Sequence, residues 1–302
     1  MSTLQTKPHL LVIGGTGFIG FHLVLKAKKR GWKVTSISLN PPKRNRYVAG
    51  VNYLKADITN FKELKKKLNN PYTYLVNLGG YVNHFNKKKK VSSAHFKAVI
   101  NLTKIFTNKK IKKFIQIGSS SEYGESRAPQ NEKAQCDPKS PYALAKLAAT
   151  EFLLMLNITK QYPVTILRLF QVYGTQQDKN RVLPQIISGC LKNKKFPVSS
   201  GEQLRDFCFI DDIINAIFLS LKNKKSNGEI FNIASGKPIK VKRVIKYICK
   251  LTGKGKPQFG QIKYRKDENM KVYADIKKAK VKMKWKPKIN FNKGIKTVIK
   301  SF

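Results

Sequence analysis

The chain has 302 residues, 41% of them apolar, and sets 61 Lys+Arg against 16 Asp+Glu, a formal net charge of +45. It is long enough to bury a substantial core as one large domain or a main domain with a smaller lobe, and no apolar run in the sequence approaches the ~20 residues of a bilayer span. The lysines are dispersed (KKKK at 87–90, KELKKKL at 62–68, KNKK at 192–195) without an Arg-rich arm, a helix-turn-helix signature or an RNA-binding aromatic motif, so the charge is read as solvated and nucleic acid is set aside as a partner.

The start, MSTLQTKPHLLVIGG, runs almost directly into a buried strand at 9–13 without a cleavable signal pattern, which makes the cytoplasm the expected location. Glycines follow, then an apolar helix from about Phe18 to Lys29. Further strands are expected at 34–38, 51–57, 73–79, 114–118 and 164–170, with helices at 60–68, at about 91–108 and around Tyr142. Strands alternating with helices imply a parallel sheet covered on both faces, a doubly wound α/β fold. After about residue 175 shorter elements among Lys-, Gly- and Pro-rich loops suggest a smaller C-terminal α/β lobe, so the expected division is 1–175 and 176–302, with a helix at 211–221 returning to the first sheet. Cys136, Cys190, Cys208 and Cys249 form no CxxC, and the four histidines show no ligand spacing, so neither a disulfide framework nor a metal site is indicated.

Gly14, Gly17 and Gly20 form Gly-x-x-Gly-x-x-Gly between the first strand and helix, a spacing that permits a tight turn, a close pyrophosphate and close helix–strand packing. Tyr142 and Lys146, in SPYALAK, stack a phenol and an ammonium on one helix face, where the lysine can lower the phenol pKa. A serine cluster, IQIGSSSEYG, ends a separate strand upstream of that helix.

Together these features resemble the extended short-chain dehydrogenase/reductases that act on nucleotide sugars, over nearly the whole chain. The resemblance implies a Rossmann-type dinucleotide site and a catalytic set of Ser119, which orients the sugar oxygen, Tyr142 as general acid/base, and Lys146, which holds the nicotinamide ribose. It places Gly14, Thr16, Gly17, Phe18, Ile19, Gly20, Asp57, Ile58, Leu78, Gly79 and Gly80 on the cofactor. Ser38 stands at the family's acidic ribose-binding position, with Lys43, Arg44 and Arg46 following, a pattern that favours NADP(H) over NAD(H). Ser120, Tyr123, Gln171 (in place of the family's asparagine), Arg205 and Arg265 are the implied substrate contacts, the arginines on a nucleotide diphosphate.

The 4,6-dehydratases of the family carry an acidic residue where this chain has Ser120 and Ser121, and Glu122 lies one place too late, which argues against dehydration. The expected reaction is therefore NADPH-dependent reduction of a nucleotide-activated 4-keto sugar. An NAD-dependent 4-epimerase shares every catalytic residue and stays open, as does a non-catalytic relative that binds NADP(H) or RNA. The resemblance also implies a homodimer built on the helix before the fifth strand and the Tyr142 helix.

Overall fold

The computed structural model describes residues 7–80, 91–107, 109–265 and 268–302; the KKKK run at 87–90 lies outside them. The chain forms β1 (His9–Ile13), α1 (Phe18–Lys29), β2 (Lys33–Ser38), β3 (Asn52–Lys55), α2 (Phe61–Lys67), β4 (Tyr74–Asn77), α3 (Ala98–Phe106), β5 (Lys113–Ser119), α4 (Pro141–Lys160) and β6 (Val164–Leu169). It continues through β7 (Gln171–Tyr173), α5 (Val182–Leu191), β8 (Lys195–Val198), β9 (Leu204–Phe209), α6 (Ile210–Lys222), β10 (Glu229–Ile233) and β11 (Pro238–Lys240). The remaining elements are α7 (Val241–Thr252), β12 (Lys256–Phe259), β13 (Lys271–Val272), α8 (Lys277–Lys282) and α9 (Phe291–Lys300).

Two compact units result, and the division does not fall at residue 175. The first comprises 1–122, 140–168 and 214–231; the second comprises 123–139, 169–213 and 232–302. In the first, strands run in the order β10-β6-β5-β4-β1-β2-β3, with β1 parallel to both β2 and β4. The sheet is doubly wound, and the chain crosses from one half to the other after β3, so the carboxyl ends of β1 and β4 lie beside the strand-order reversal where such sheets bind ligands. All five residues of β1 are buried, as a strand covered on both faces requires. The core behind it joins Leu11, Ile13 and Leu75 from the sheet to Leu102, Phe106 and Leu153 from helices.

The helix expected at 91–108 contains a π-turn over Ser93–Lys97 before it settles into α3. Helix α4 begins where Ser140 Oγ accepts the Ala143 N–H (3.2 Å) and Pro141 takes the first turn, a start that needs no N–H from the proline. At 20 residues α4 is long and apolar enough to cross a bilayer, which corrects the expectation that no segment is; Ala143, Lys146, Thr150 and Leu153 nevertheless lie in the interior of the first unit. At the opposite end of β5 from Ser119, the buried Lys113 Nζ donates to Thr165 Oγ1 (3.2 Å), Asn223 O (2.9 Å), Ser226 Oγ (3.0 Å) and Asn227.

The second unit is built on β9, which pairs with β7, β11 and β13. Asp212 ties its C-terminal stretch down, accepting the N–H groups of Lys288 and Ile289 (both 2.9 Å) while its carbonyl takes the Trp285 indole N–H (3.1 Å). Cys190 on α5 and Cys249 on α7 bring their sulfurs to 3.4 Å.

Candidate active site

The glycine turn is set by backbone contacts. Gly14 has φ +79°, and a Cβ there would lie 3.0 Å from the Leu78 carbonyl oxygen. A Cβ on Gly20 would lie 2.2 Å from the Gly14 oxygen, so only glycine lets α1 pack this closely on the turn. Gly17 caps α1, which has no side-chain cap and no acidic residue in its first turn. A helix start of this kind, approached through a side-chain-free turn, suits the pyrophosphate of a dinucleotide. Phe18 and Ile19 begin the helix itself.

The other expected cofactor residues converge on the turn unevenly. Ser38 ends β2 and its Oγ accepts the Thr16 N–H (3.4 Å), while Arg44 is exposed and Arg46 buried. Leu78 donates its N–H to the Ile13 carbonyl (3.0 Å), and Gly79 donates to Asn77 Oδ1 (3.0 Å), which fixes the loop after β4 against the end of β1. Ile58 is a core residue packed near Gly79. Asp57 Oδ1 accepts both the N–H and the hydroxyl of Thr59 (2.8 Å each), while Asn60 rather than Asp57 caps α2.

Tyr142 and Lys146 occupy the first turns of α4. The Lys146 ammonium, 5% exposed, donates to the Ile117 carbonyl (2.7 Å) and lies 6.0 Å from the Tyr142 ring centre. Burial pulls its pKa down to about 8, against the opposing pull of the Glu122 carboxylate. The same β5 end carries Ser119, whose Oγ accepts the Ser121 N–H (3.1 Å). Ser120 is half-buried beside it. Lys146 thus reaches the carbonyl two residues before Ser119 on β5, and Tyr142 stands one turn before it on α4.

Two participants escape a linear reading. His95, held in the π-turn, sets its ring edge-on to Tyr142 with centres 4.9 Å apart. A Cβ on Gly80 would strike that imidazole, so Gly80 makes room for it. Glu122 is fully buried and accepts the Ser119 N–H (2.7 Å), the Thr150 hydroxyl (2.9 Å) and Arg168 Nε (2.9 Å). It is an internal ion-pair partner. The charged Arg168 inside the apolar run ILRLF was the available signal, since a buried guanidinium demands a partner.

The substrate candidates belong to the second unit, apart from Ser120. Tyr123 is corrected: it is fully buried and its hydroxyl donates to Asn232 Oδ1 (2.8 Å), so it has no surface to offer a ligand. Gln171 is exposed at the start of β7. Arg205 on β9 pairs with Glu268 and donates to the Leu204 carbonyl (2.8 Å); Arg265 is close enough to act on it electrostatically. Burial holds the Arg205 guanidinium below its ordinary pKa. Among the described residues no His/Cys/Asp/Glu group has the makings of a metal site.

The "NAD dependent epimerase/dehydratase" family model matches residues 10–234. A putative UDP-glucose 4-epimerase of Methanocaldococcus jannaschii is 30% identical, the match covering 96% of this chain and 97% of that protein. The UDP-glucose 4-epimerase of Thermotoga maritima, solved with UDP-glucose, superposes with a TM-score of 0.92 at 25% identity, covering 97% and 98% of the two chains. The UDP-glucuronic acid 4-epimerase of Bacillus cereus, solved with UDP-glucuronic acid and NAD, gives 0.87 at 25% identity over 97% and 98%. These matches favour the epimerase alternative over reduction and do not support the preference for NADP(H) drawn from Ser38 and the nearby cations. With its glycine turn, its Tyr142–Lys146 helix and a family match spanning most of its length, the chain belongs to the NAD dependent epimerase/dehydratase family.

Proposed function

We propose that the chain inverts C4 of a UDP-sugar, using NAD that it holds and regenerates. The observation that carries the reading is Tyr142 in the first turn of α4 with the buried Lys146 ammonium beside it, in a chain matched end to end by 4-epimerases. The turn of Gly14, Gly17 and Gly20 and the uncapped start of α1 would hold the pyrophosphate, with Ser38 near the adenosine ribose and Leu78–Gly80 along the far half. Bound there, NAD supplies reversible hydride acceptance from sugar C4. Tyr142 takes the C4 hydroxyl proton as C4 gives up its hydride, and returns a proton to the same oxygen when the hydride comes back to the opposite face of the 4-keto ring. Lys146 favours the phenolate by its charge, and the Ser119 hydroxyl hydrogen-bonds the reacting oxygen. Arg205 and Arg265 supply forked donors for the diphosphate.

Retention of NAD through purification, and interconversion of UDP-glucose and UDP-galactose without added nicotinamide, are the expected results. Tyr142→Phe should lower kcat by roughly 10²–10⁴-fold. Consumption of added NADPH with a 4-keto sugar, and no interconversion, would instead establish the reductase, the reading that Ser38 in place of an acid favours. The chain acts as a homodimer through α3 and α4: Leu144, Met155 and Ile158, exposed by 59%, 44% and 81%, lie on one side of α4, and sedimentation should report two copies.

A further inference from the structure

The Glu122 carboxylate is the point at which three elements of the first unit meet. It accepts the backbone N–H of Ser119 at the end of β5, the hydroxyl of Thr150 on α4, and the guanidinium of Arg168 on β6. Glu122 and Arg168 are 0% and 1% exposed, so neither is satisfied by water. Thr150 lies four residues after Lys146, on the same face of α4. A Cβ on Gly118 would lie 2.6 Å from Glu122 Oε1, so the strand leaves space for the carboxylate at this point.

We propose that Glu122 is a positioning residue: clamped by Arg168 and Thr150, its carboxylate fixes the Ser119 end of β5 against α4 and sets the electrostatic surroundings of Lys146. It rests on the 4-epimerase reading only in its kinetic consequences. The charged and titratable groups that face Lys146 are Glu122 from the turn after β5, Tyr142 on its own helix, His95 beyond the Tyr142 ring, and Arg168 on β6 behind Glu122. Among them Glu122 alone is an anion, and it raises the Lys146 pKa against the lowering by burial. Its neutralisation removes that opposing pull and leaves burial to act on the ammonium. Lys146 must be protonated to stabilise the phenolate, so the high-pH limb of activity should then move to lower pH.

The test compares the wild type with Glu122→Gln and with the charge-free pair Glu122→Gln/Arg168→Met. Lys146 is followed by NMR of its side-chain ammonium, assigned with Lys146→Arg, in protein stripped of cofactor. Its midpoint should lie at about 8 in the wild type and fall by about one pH unit in Glu122→Gln. In turnover of UDP-glucose the high-pH limb should shift likewise, with kcat at pH 8 about fivefold lower and KM within about twofold. The paired variant, which removes both charges of the buried ion pair, should regain the wild-type melting temperature and still show a midpoint below the wild type's, though no lower than that of Glu122→Gln. If Glu122→Gln does not fold, the paired variant decides. An unmoved midpoint, or an unchanged kcat in an active enzyme, overturns the proposal. A wild type with no epimerase activity sinks the functional reading instead, while the Lys146 midpoint still judges Glu122.

Discussion

Gly20→Ala tests whether close packing of α1 on the glycine turn is what the sequence motif encodes. The added methyl would be placed 2.2 Å from the Gly14 oxygen and 2.6 Å from the Gly15 Cα, both backbone atoms that no rotamer change can move aside. Overpacking typically costs about 1–3 kcal/mol, and a clash with backbone belongs at the upper end. Alanine's better helix propensity returns about 1 kcal/mol. The net loss of about 2 kcal/mol corresponds to a melting temperature roughly 4–8 °C lower for a chain of this size. Gly17→Ala is the internal control, because its Cβ would lie 3.3 Å from the Gly14 oxygen at an ordinary φ of −75°; its melting temperature should change by less than half as much. Differential scanning calorimetry gives the melts and isothermal titration the NAD affinity, which should fall for Gly20→Ala as the turn opens. A Gly20→Ala protein that melts within about 1 °C of wild type would show that the turn relaxes freely and that the packing argument is wrong.

Lys113 is buried with four oxygen acceptors and no carboxylate, and burial pulls its pKa from 10.5 to about 8. Between those values the unfolded chain holds a proton that the folded chain has released, so stability should rise with pH across that window, by up to about 3 kcal/mol from Lys113, with Lys146 adding a rise of the same sign; urea unfolding at both ends should show the rise, and Lys113→Met should show a smaller one. Arg205→Lys keeps the charge but loses the fork, and UDP affinity measured by titration should weaken about 10–100-fold; equal affinity would remove Arg205 from the diphosphate site. Cys190 and Cys249, with sulfurs 3.4 Å apart, should join in an intramolecular disulfide under diamide, detected by non-reducing mass spectrometry, whereas Cys136 and Cys208 stay reduced.

The dinucleotide half was legible because its signals are local. A run of apolar residues, glycines at three-residue intervals and an amphipathic helix follow one another in the chain, and the same is true of Ser140, Pro141, Tyr142 and Lys146. What was not legible depends on partners distant in sequence. Tyr123 follows a serine cluster and looks like a substrate contact, but its hydroxyl is claimed by Asn232, 109 residues on. Glu122 stands one place beyond the dehydratase position with nothing nearby in sequence to explain it, and its partner Arg168 lies 46 residues away. His95 has no motif around it, and only the π-turn brings its ring to Tyr142. The change in texture near 175 marks where short elements begin, not which sheet they join: 214–231 belongs to the first unit and 123–139 to the second.

The two units are threaded rather than concatenated, since the chain passes between them at 122, 139, 168, 213 and 231. No single proteolytic cut can therefore release either one intact. A truncation after residue 175 would remove β10, stripping β6 of its outer neighbour and leaving a long buried strand as a raw edge open to aggregation. Exchange of substrate preference between relatives by recombination faces the same topology: three separated stretches of chain, 123–139, 169–213 and 232–302, must be transplanted as a set.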